Sequence, residues 1–386
     1  VITIARHNYL VNSKISNFLQ NNCLETPFLV VDLDVIADKY QRLQQNLPNT
    51  QVYYAVKANP APEILKLLVR LGSNFDTASL FEIEQCLAVG AKPAQISYGN
   101  TIKKSRDIAA AYNLGVRLFA FDSLAELEKL AKFAPGSRVY CRLLMECEGA
   151  QWPLSKKFGC ELEMAHDLLI HSARLGLQPF GVSFHVGSQQ RDRQQWHLAI
   201  AKVARLFSAL KLAGINLEMI NLGGGFPVDY NSQAPQAEVY TDAITEALNC
   251  YFDRHQPMTM IEPGRWLVAD AGLIQSEVVL ISKKAYTEDR RWIYLDIGKF
   301  GGLAETMDEC IKYQICTPKD RYPVAPVVIA GPTCDSADIL YDRADYQLPI
   351  DLEIGDRVEI LGTGAYTTTY ASVGFNGFPP LKAYYL

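Results

Sequence analysis

Eight short apolar runs, each followed by a segment of helical periodicity, constrain this chain more than any other feature. The runs are VYYAVKAN (52–59), SNFDTAS (73–79), QISYGN (95–100), VRLFAFDS (116–123), RVYCRLL (138–144), FGVSFHVGS (180–188), LEMINLGGG (217–225) and MTMIEPGR (258–265). They are rich in β-branched and aromatic residues, as strands are. The segments between them, such as APEILKLLVRLG and QQWHLAIAKVARLFSALKLAG, place apolar residues at three- and four-residue steps. Gly72, Gly90, Gly115, Gly176 and Gly214 close five of these segments, where helix C-termini favour glycine. Eight βα units close a parallel barrel, so the expected fold class is α/β with a TIM-type (β/α)8 barrel. A further βα-like opening, PFLVVDLDVIADKYQRLQQNL (27–47), leaves the strand count open by one.

Past about residue 270 the texture changes to alternating β-branched and aromatic runs, among them LIQSEVVLISKKAY, APVVIAGP and DRVEILGTG. These runs predict a second, C-terminal β-rich domain, antiparallel, as a β-barrel or sandwich. The expected layout is an N-terminal segment 1–28 packing with the β domain, a barrel over 29–270 and the β domain over 271–386. A chain of 386 residues with 49% hydrophobic content suits two folded domains of this kind.

Lys and Arg total 37 against 42 Asp and Glu, with no long run of either sign, which argues against nucleic acid as a partner. No apolar run approaches the ~18 residues that a membrane span needs, and VITIARHNYL has no signal-peptide core, so no membrane association is expected. Nine cysteines without CxxC pairs point to a reducing, cytoplasmic setting. No second His or Cys is spaced to complete a zinc site with His185, and no metal is expected.

Barrel chemistry sits at the C-terminal ends of the strands, and the unusual polar residues fall there: Lys57, Asp76, Asn100, Arg142, His185, Gly223 to Gly225 and Glu262 to Arg265. A lysine closing a buried run is expected to be desolvated, which lowers its amine pKa and makes it a nucleophile toward an aldehyde. The alternative is a lysine reaching solvent from the rim. Gly223, Gly224 and Gly225 offer backbone N–H groups to an anion, with Arg265 on the next strand, although such a run also marks tight turns. Glu262 is either the partner of a protonated ring nitrogen or simply that of Arg265 or another cation. His185 is either a core histidine or a flat surface for a cofactor ring, with Ser188 near enough to donate to phosphate. In GPTCDSAD (331–338) a thiol and a carboxylate stand together, and Tyr366 follows glycines in GTGAYTTTY (362–370).

Taken in order, YAVKAN, SFHVGS, GGGFP, EPGR, GPTCDSAD, GAYT and the ending FNGFPPLKAYYL resemble the fold-type III pyridoxal-phosphate decarboxylases, closest to the bacterial ornithine/lysine decarboxylases. The resemblance runs from Thr26 to Leu386. It implies that Lys57 carries pyridoxal 5'-phosphate, Glu262 pairs with the pyridine nitrogen and His185 stacks on the ring. Ser188, Gly225, Arg265 and Tyr366 would hold the phosphate, Gly224 and Gly264 would also bind the cofactor, and Tyr366 would touch the substrate as well, with Asp76, Glu82 and Arg142 lining lysine and cofactor. It implies a homodimer with shared sites, in which Cys334 protonates Cα and Asp335 binds the distal amine of the substrate. The stretch FGGLAETMDECIKY (300–313) matches the family's substrate-distinguishing segment; Asp308 and Glu309 suit a cationic group, and Phe300 stands where an aromatic hydroxyl is expected.

The expected reaction is decarboxylation of ornithine, lysine or both to putrescine or cadaverine. The alternatives are an arginine or diaminopimelate decarboxylase, a racemase on the same barrel, and a non-catalytic regulatory relative.

Overall fold

The computed structural model describes residues 13–147, 149–152, 157–230, 234–252 and 256–386; VITIARHNYL lies outside them. The chain divides into two compact units. One takes in Ala37–Pro227 and Ala234–Trp266, the other the strand Phe28–Val31 and the chain from Leu267 to Leu386.

The first unit is a closed barrel of eight parallel strands: β1 (Thr50–Ala55), β2 (Asn74–Thr77), β3 (Ile96–Tyr98), β4 (Leu118–Phe121), β5 (Arg138–Arg142), β6 (Gln178–Ser183), β7 (Met219–Asn221) and β8 (Met258–Ile261). They run round the barrel in sequence order and β8 pairs with β1. All eight lie within the apolar runs or overlap them by most of their length. Tyr53, Leu118, Ala120, Tyr140, Phe180, Met219 and Met260 form one buried cluster. Each large side chain removed from water there contributes about 1.5–3 kcal/mol. The Tyr140 hydroxyl, buried among them, is satisfied by Ser97 Oγ at 2.8 Å.

Local signals fix the helices between the strands. Ser79 and Ser123 cap theirs, accepting from the N–H of Glu82 and Glu126 three residues on. The five glycines sit just past helix ends at φ between +77° and +100°. At Gly72, for example, the Gly72 N–H donates to Val69 O at 3.1 Å and the Ser73 N–H to Leu68 O at 2.9 Å, a closure that only glycine adopts without strain.

The second unit is a nine-stranded sheet. After Phe28–Val31 its strands are β9 (Gly272–Ser282), β10 (Arg291–Leu295), β11 (Ile315–Cys316), β12 (Val324–Ala330), β13 (Ile339–Tyr341), β14 (Gln347–Pro349), β15 (Arg357–Leu361) and β16 (Lys382–Tyr385). Phe28–Val31 pairs with β9 and with β16, so it adds no ninth strand to the barrel. Ile15, Phe28, Val30, Leu273 and Leu361 form the buried centre of this region.

The sheet is mixed rather than antiparallel throughout. β10 lies parallel to β12, and Phe28–Val31 parallel to β16. Parallel neighbours need a long crossover; the chain between β10 and β12 supplies one, and it carries the turn Ala304–Glu309. No described helix is long and apolar enough to cross a membrane.

Candidate active site

Lys57 stands in a single 3-10 turn, Val56–Ala58, directly after β1. The turn is tied to the loop after β8 by the Ala55 N–H, which donates to Pro263 O at 3.2 Å. Val56 and Ala58 are fully buried, but Lys57 itself is exposed. The expectation of a desolvated lysine is thus corrected. The strand has ended at Ala55, and the tight turn leaves the lysine at solvent while its neighbours join the core.

Around Lys57 the ionisable groups from several strands perturb one another. Asp76, at 6% exposure, has its carboxyl pushed well up by burial first and the Glu262 charge second, with Lys57 and Arg142 opposing. Its Oδ1 is buried and accepts no hydrogen bond. Glu82 is also raised by burial, against the pull of the Ala78 N–H, which donates to its Oε2 at 2.7 Å, and of Lys57. His185 is held down to about 3 by desolvation, then by Arg142 and Lys57. Its Nδ1 accepts from the Gly187 N–H at 2.9 Å, so the neutral ring carries its proton on Nε2. The Arg142 guanidinium lies 5.0 Å from the centre of the Phe158 ring.

The glycines after β7 are where backbones meet. A Cβ on Gly223 would lie 2.3 Å from Phe184 O, on Gly224 2.5 Å from Glu262 O, and on Gly225 2.4 Å from Gly187 O. No side chain fits at any of the three, and Gly223 and Gly225 also hold positive φ. Gly264 is nearly as tight, with Ala55 and Ala58 Cβ both 3.1 Å from an added Cβ. Arg265, 6% exposed, donates from Nε to Ser188 Oγ at 3.3 Å. A buried guanidinium, a hydroxyl and bare backbone thereby gather at the ends of β6, β7 and β8, a setting suited to an anion.

Asn221, the last residue of β7, was not singled out from the sequence. Its Nδ2 donates to Glu262 Oε1 while its Oδ1 accepts from the Gly223 N–H at 2.9 Å. One fully buried amide therefore fixes both the carboxylate and the start of the glycine run. A polar residue ending an apolar strand beside those glycines was the available signal.

The remaining candidates belong to the β unit. Cys334 and Asp335 are exposed. The Cys334 N–H donates to Asn376 Oδ1 at 2.8 Å, and Asp335 Oδ1 accepts from the Ala337 N–H at 2.8 Å. Asp338, 2% exposed, anchors the same loop by accepting from the Lys299 N–H and from the N–H and hydroxyl of Thr333. Phe300 packs on Phe375 at 4.7 Å and, with Thr333, lines a cavity of about 250 Å³. Tyr366 is half-buried at φ +63°.

The acidic pair is divided. Glu309 Oε1 accepts from the N–H groups of Asp342 at 2.8 Å and Arg343 at 2.7 Å, whereas Asp308 is exposed at φ +53°.

Comparison with known proteins adds a lineage to this geometry. Residues 33–269 match the family model described as pyridoxal-dependent decarboxylase, pyridoxal binding domain. The lysine/ornithine decarboxylase of Selenomonas ruminantium is 37% identical over 358 residues, which cover 92% of this chain and 88% of that protein. A lysine/ornithine decarboxylase from Vibrio vulnificus, solved with cadaverine, superposes with a TM-score of 0.86 at 30% identity, covering 97% of each chain. The arginine decarboxylase of Paramecium bursaria Chlorella virus, solved with agmatine, gives 0.89 at 26% identity over 97% of this chain and 100% of that one.

Proposed function

The chain belongs to the pyridoxal-dependent decarboxylases, enzymes that act with pyridoxal phosphate and here on a basic amino acid, and on that premise we propose that its substrates are ornithine and lysine, released as putrescine and cadaverine with carbon dioxide. The single observation that carries this choice is the 37% identity, over nearly the whole chain, to an enzyme named for both substrates. The two substrates differ by one methylene, worth about 1–3 kcal/mol in a pocket, so one site can serve both.

The residues present fit the cofactor. The side-chain-free backbone at Gly224, Gly225 and Gly264, with Ser188 and buried Arg265 hydrogen-bonded beside it, supplies the donor set that a phosphate needs. Lys57 is accessible for its amine to condense with an aldehyde. Bound there, pyridoxal phosphate supplies the electron sink for the pair left by the departing carboxylate.

This chain's own groups do the rest. Glu262, held by Asn221, presents an anion to the protonated ring nitrogen. His185, neutral at any ordinary pH, offers a flat face without adding a cation beside Lys57 and Arg142. Asp76 and Arg142 line the lysine, and the Tyr366 hydroxyl joins the phosphate ligands. Asp308 meets the distal ammonium of the substrate, because Glu309 is already engaged by two backbone N–H groups. Phe300 forms an apolar wall beside it.

In this reading two copies pair, and Cys334 and Asp335 of each serve the Lys57 centre of the other. Their exposure on a firmly anchored loop supports that role. Cys334 Sγ–H delivers the proton to Cα, and Asp335 takes the distal amine. Nine free thiols suit the cytoplasm as the working compartment.

The test compares kcat/KM for carbon dioxide release from ornithine, lysine, arginine and diaminopimelate, and repeats it with Asp308→Asn and Glu309→Gln. Ornithine and lysine should lead. Asp308→Asn should raise KM about tenfold, the cost of one charged hydrogen bond, and Glu309→Gln should change it little. Fastest turnover of arginine or diaminopimelate refutes the substrate choice.

A further inference from the structure

Lys103 takes no part in the chemistry above, yet its side chain is fully buried. Desolvating an ammonium is costly unless its donors are met. Here Nζ donates to Asn100 O at 2.7 Å and Ala120 O at 2.6 Å, and it forms an ion pair with Glu126 Oε1, 3.0 Å away. Glu126 is itself 3% exposed and is also paired with Lys129, whose Nζ returns to Lys103 O. An apolar side chain could fill this space, but only a multi-donor head can hold the turn after β3 to the strand β4 and to the helix that Glu126 opens.

That turn abuts the site. The Gly99 N–H donates to Thr77 O at 2.9 Å, and Asn100 Nδ2 to Ala78 O at 3.2 Å. Ala78 in turn donates its N–H to Glu82 Oε2. Gly99 is packed so closely on Asp76 that a Cβ there would stand 1.9 Å from Asp76 Oδ1. Since that oxygen accepts no hydrogen bond, packing against Gly99 sets its place.

We propose that Lys103 is a positioning residue for the decarboxylation: its buried ammonium braces the Gly99–Asn100 turn, and through it the carboxyl groups of Asp76 and Glu82 beside Lys57. The proposal rests on the reading of Asp76 and Glu82 as part of the Lys57 centre. Burial lowers the Lys103 pKa to about 8 against the attraction of Glu126, so the brace is an ammonium below that pH.

The test is Lys103→Met, which keeps the stem and removes the charge, with Lys103→Met/Glu126→Gln as a second variant that also removes the facing carboxylate. In cofactor-free protein, Lys103→Met should speed amide hydrogen exchange at residues 77–82 and 99–103 and leave that of β9 unchanged. In the holoenzyme it should lower kcat at least tenfold with KM within threefold, and move the pH midpoint of the bound cofactor's absorbance. The double variant should recover thermal stability without recovering kcat or the midpoint. A fall in Tm with wild-type kcat, midpoint and site exchange reduces Lys103 to a structural role and overturns the proposal.

Asp76→Asn in the same assays separates the two possible failures. A wild-type midpoint in Lys103→Met alone overturns the brace; a wild-type midpoint in both variants overturns the reading of the site with it.

Discussion

In the barrel unit Asp76, His185 and Arg265 are buried or half-buried and held by fixed neighbours, whereas in the β unit Cys334, Asp335 and Asp308 stand exposed on turns whose backbones are tied down. Both arrangements preorganise a side chain, in opposite ways. The barrel sets charge by burial, shifting Asp76 up and His185 down. The β unit leaves its groups in solvent and spends its hydrogen bonds on backbone position.

The largest expected effect tests that second half. Cys334→Ala should lower correct protonation at Cα, and with it product formation, by about 10²- to 10⁴-fold. Mixing it with Lys57→Ala should restore part of the activity, because a hybrid pair keeps one intact centre. Activity that stays lost despite demonstrated exchange of subunits breaks the assignment of Cys334 to a partner's site.

A pair of glycine variants sharpens the contrast between the units. Gly224→Val, forcing a side chain onto Glu262 O, should cost about 1–3 kcal/mol of strain and weaken cofactor binding by roughly 5- to 150-fold, read by equilibrium titration. Gly298→Ala would place a Cβ 2.1 Å from Asp338 Oδ1. It should disturb the Cys334 loop and lower kcat while leaving cofactor affinity unchanged; equal losses of affinity in both variants would erase the distinction.

The most gradual effect is a pH slope. His185 titrates at about 3 when folded and near 6.5 when free. Between those values the unfolded chain binds the extra proton, so stability is present above pH 6.5 and is lost as pH falls toward 3, at no more than about 1.4 kcal/mol per pH unit. Denaturant melts of His185→Phe should lack this component. An unchanged slope would mean that the ring is not desolvated.

What could be read from the sequence follows the same division. All eight barrel strands and the five helix-ending glycines were legible because a βα repeat shows both periodicities and repeats its stop signal. The opening PFLVVD was ambiguous because a strand's residues do not name its partner; Phe28–Val31 pairs with β9 and β16, some 240 and 350 residues along the chain. The same limit hid the parallel β10–β12 pairing.

At the site, strand-end position picked out residues whose charges perturb one another, but it misjudged the exposure of Lys57, which depends on where β1 stops and the turn begins. Asp338 and Lys103 went unnoticed because each holds a backbone group far along the chain, Lys299 N–H and Ala120 O, and such partners leave no pattern in neighbouring residues; Asn221 went unnoticed although the glycines beside it marked the place.

The central claim is that the amine of Lys57 holds the cofactor. Reducing the loaded enzyme with borohydride, digesting it and locating the tag by mass spectrometry tests this directly. The account predicts a single tagged peptide containing Lys57; a tag on another lysine, or none in fully loaded protein, contradicts it.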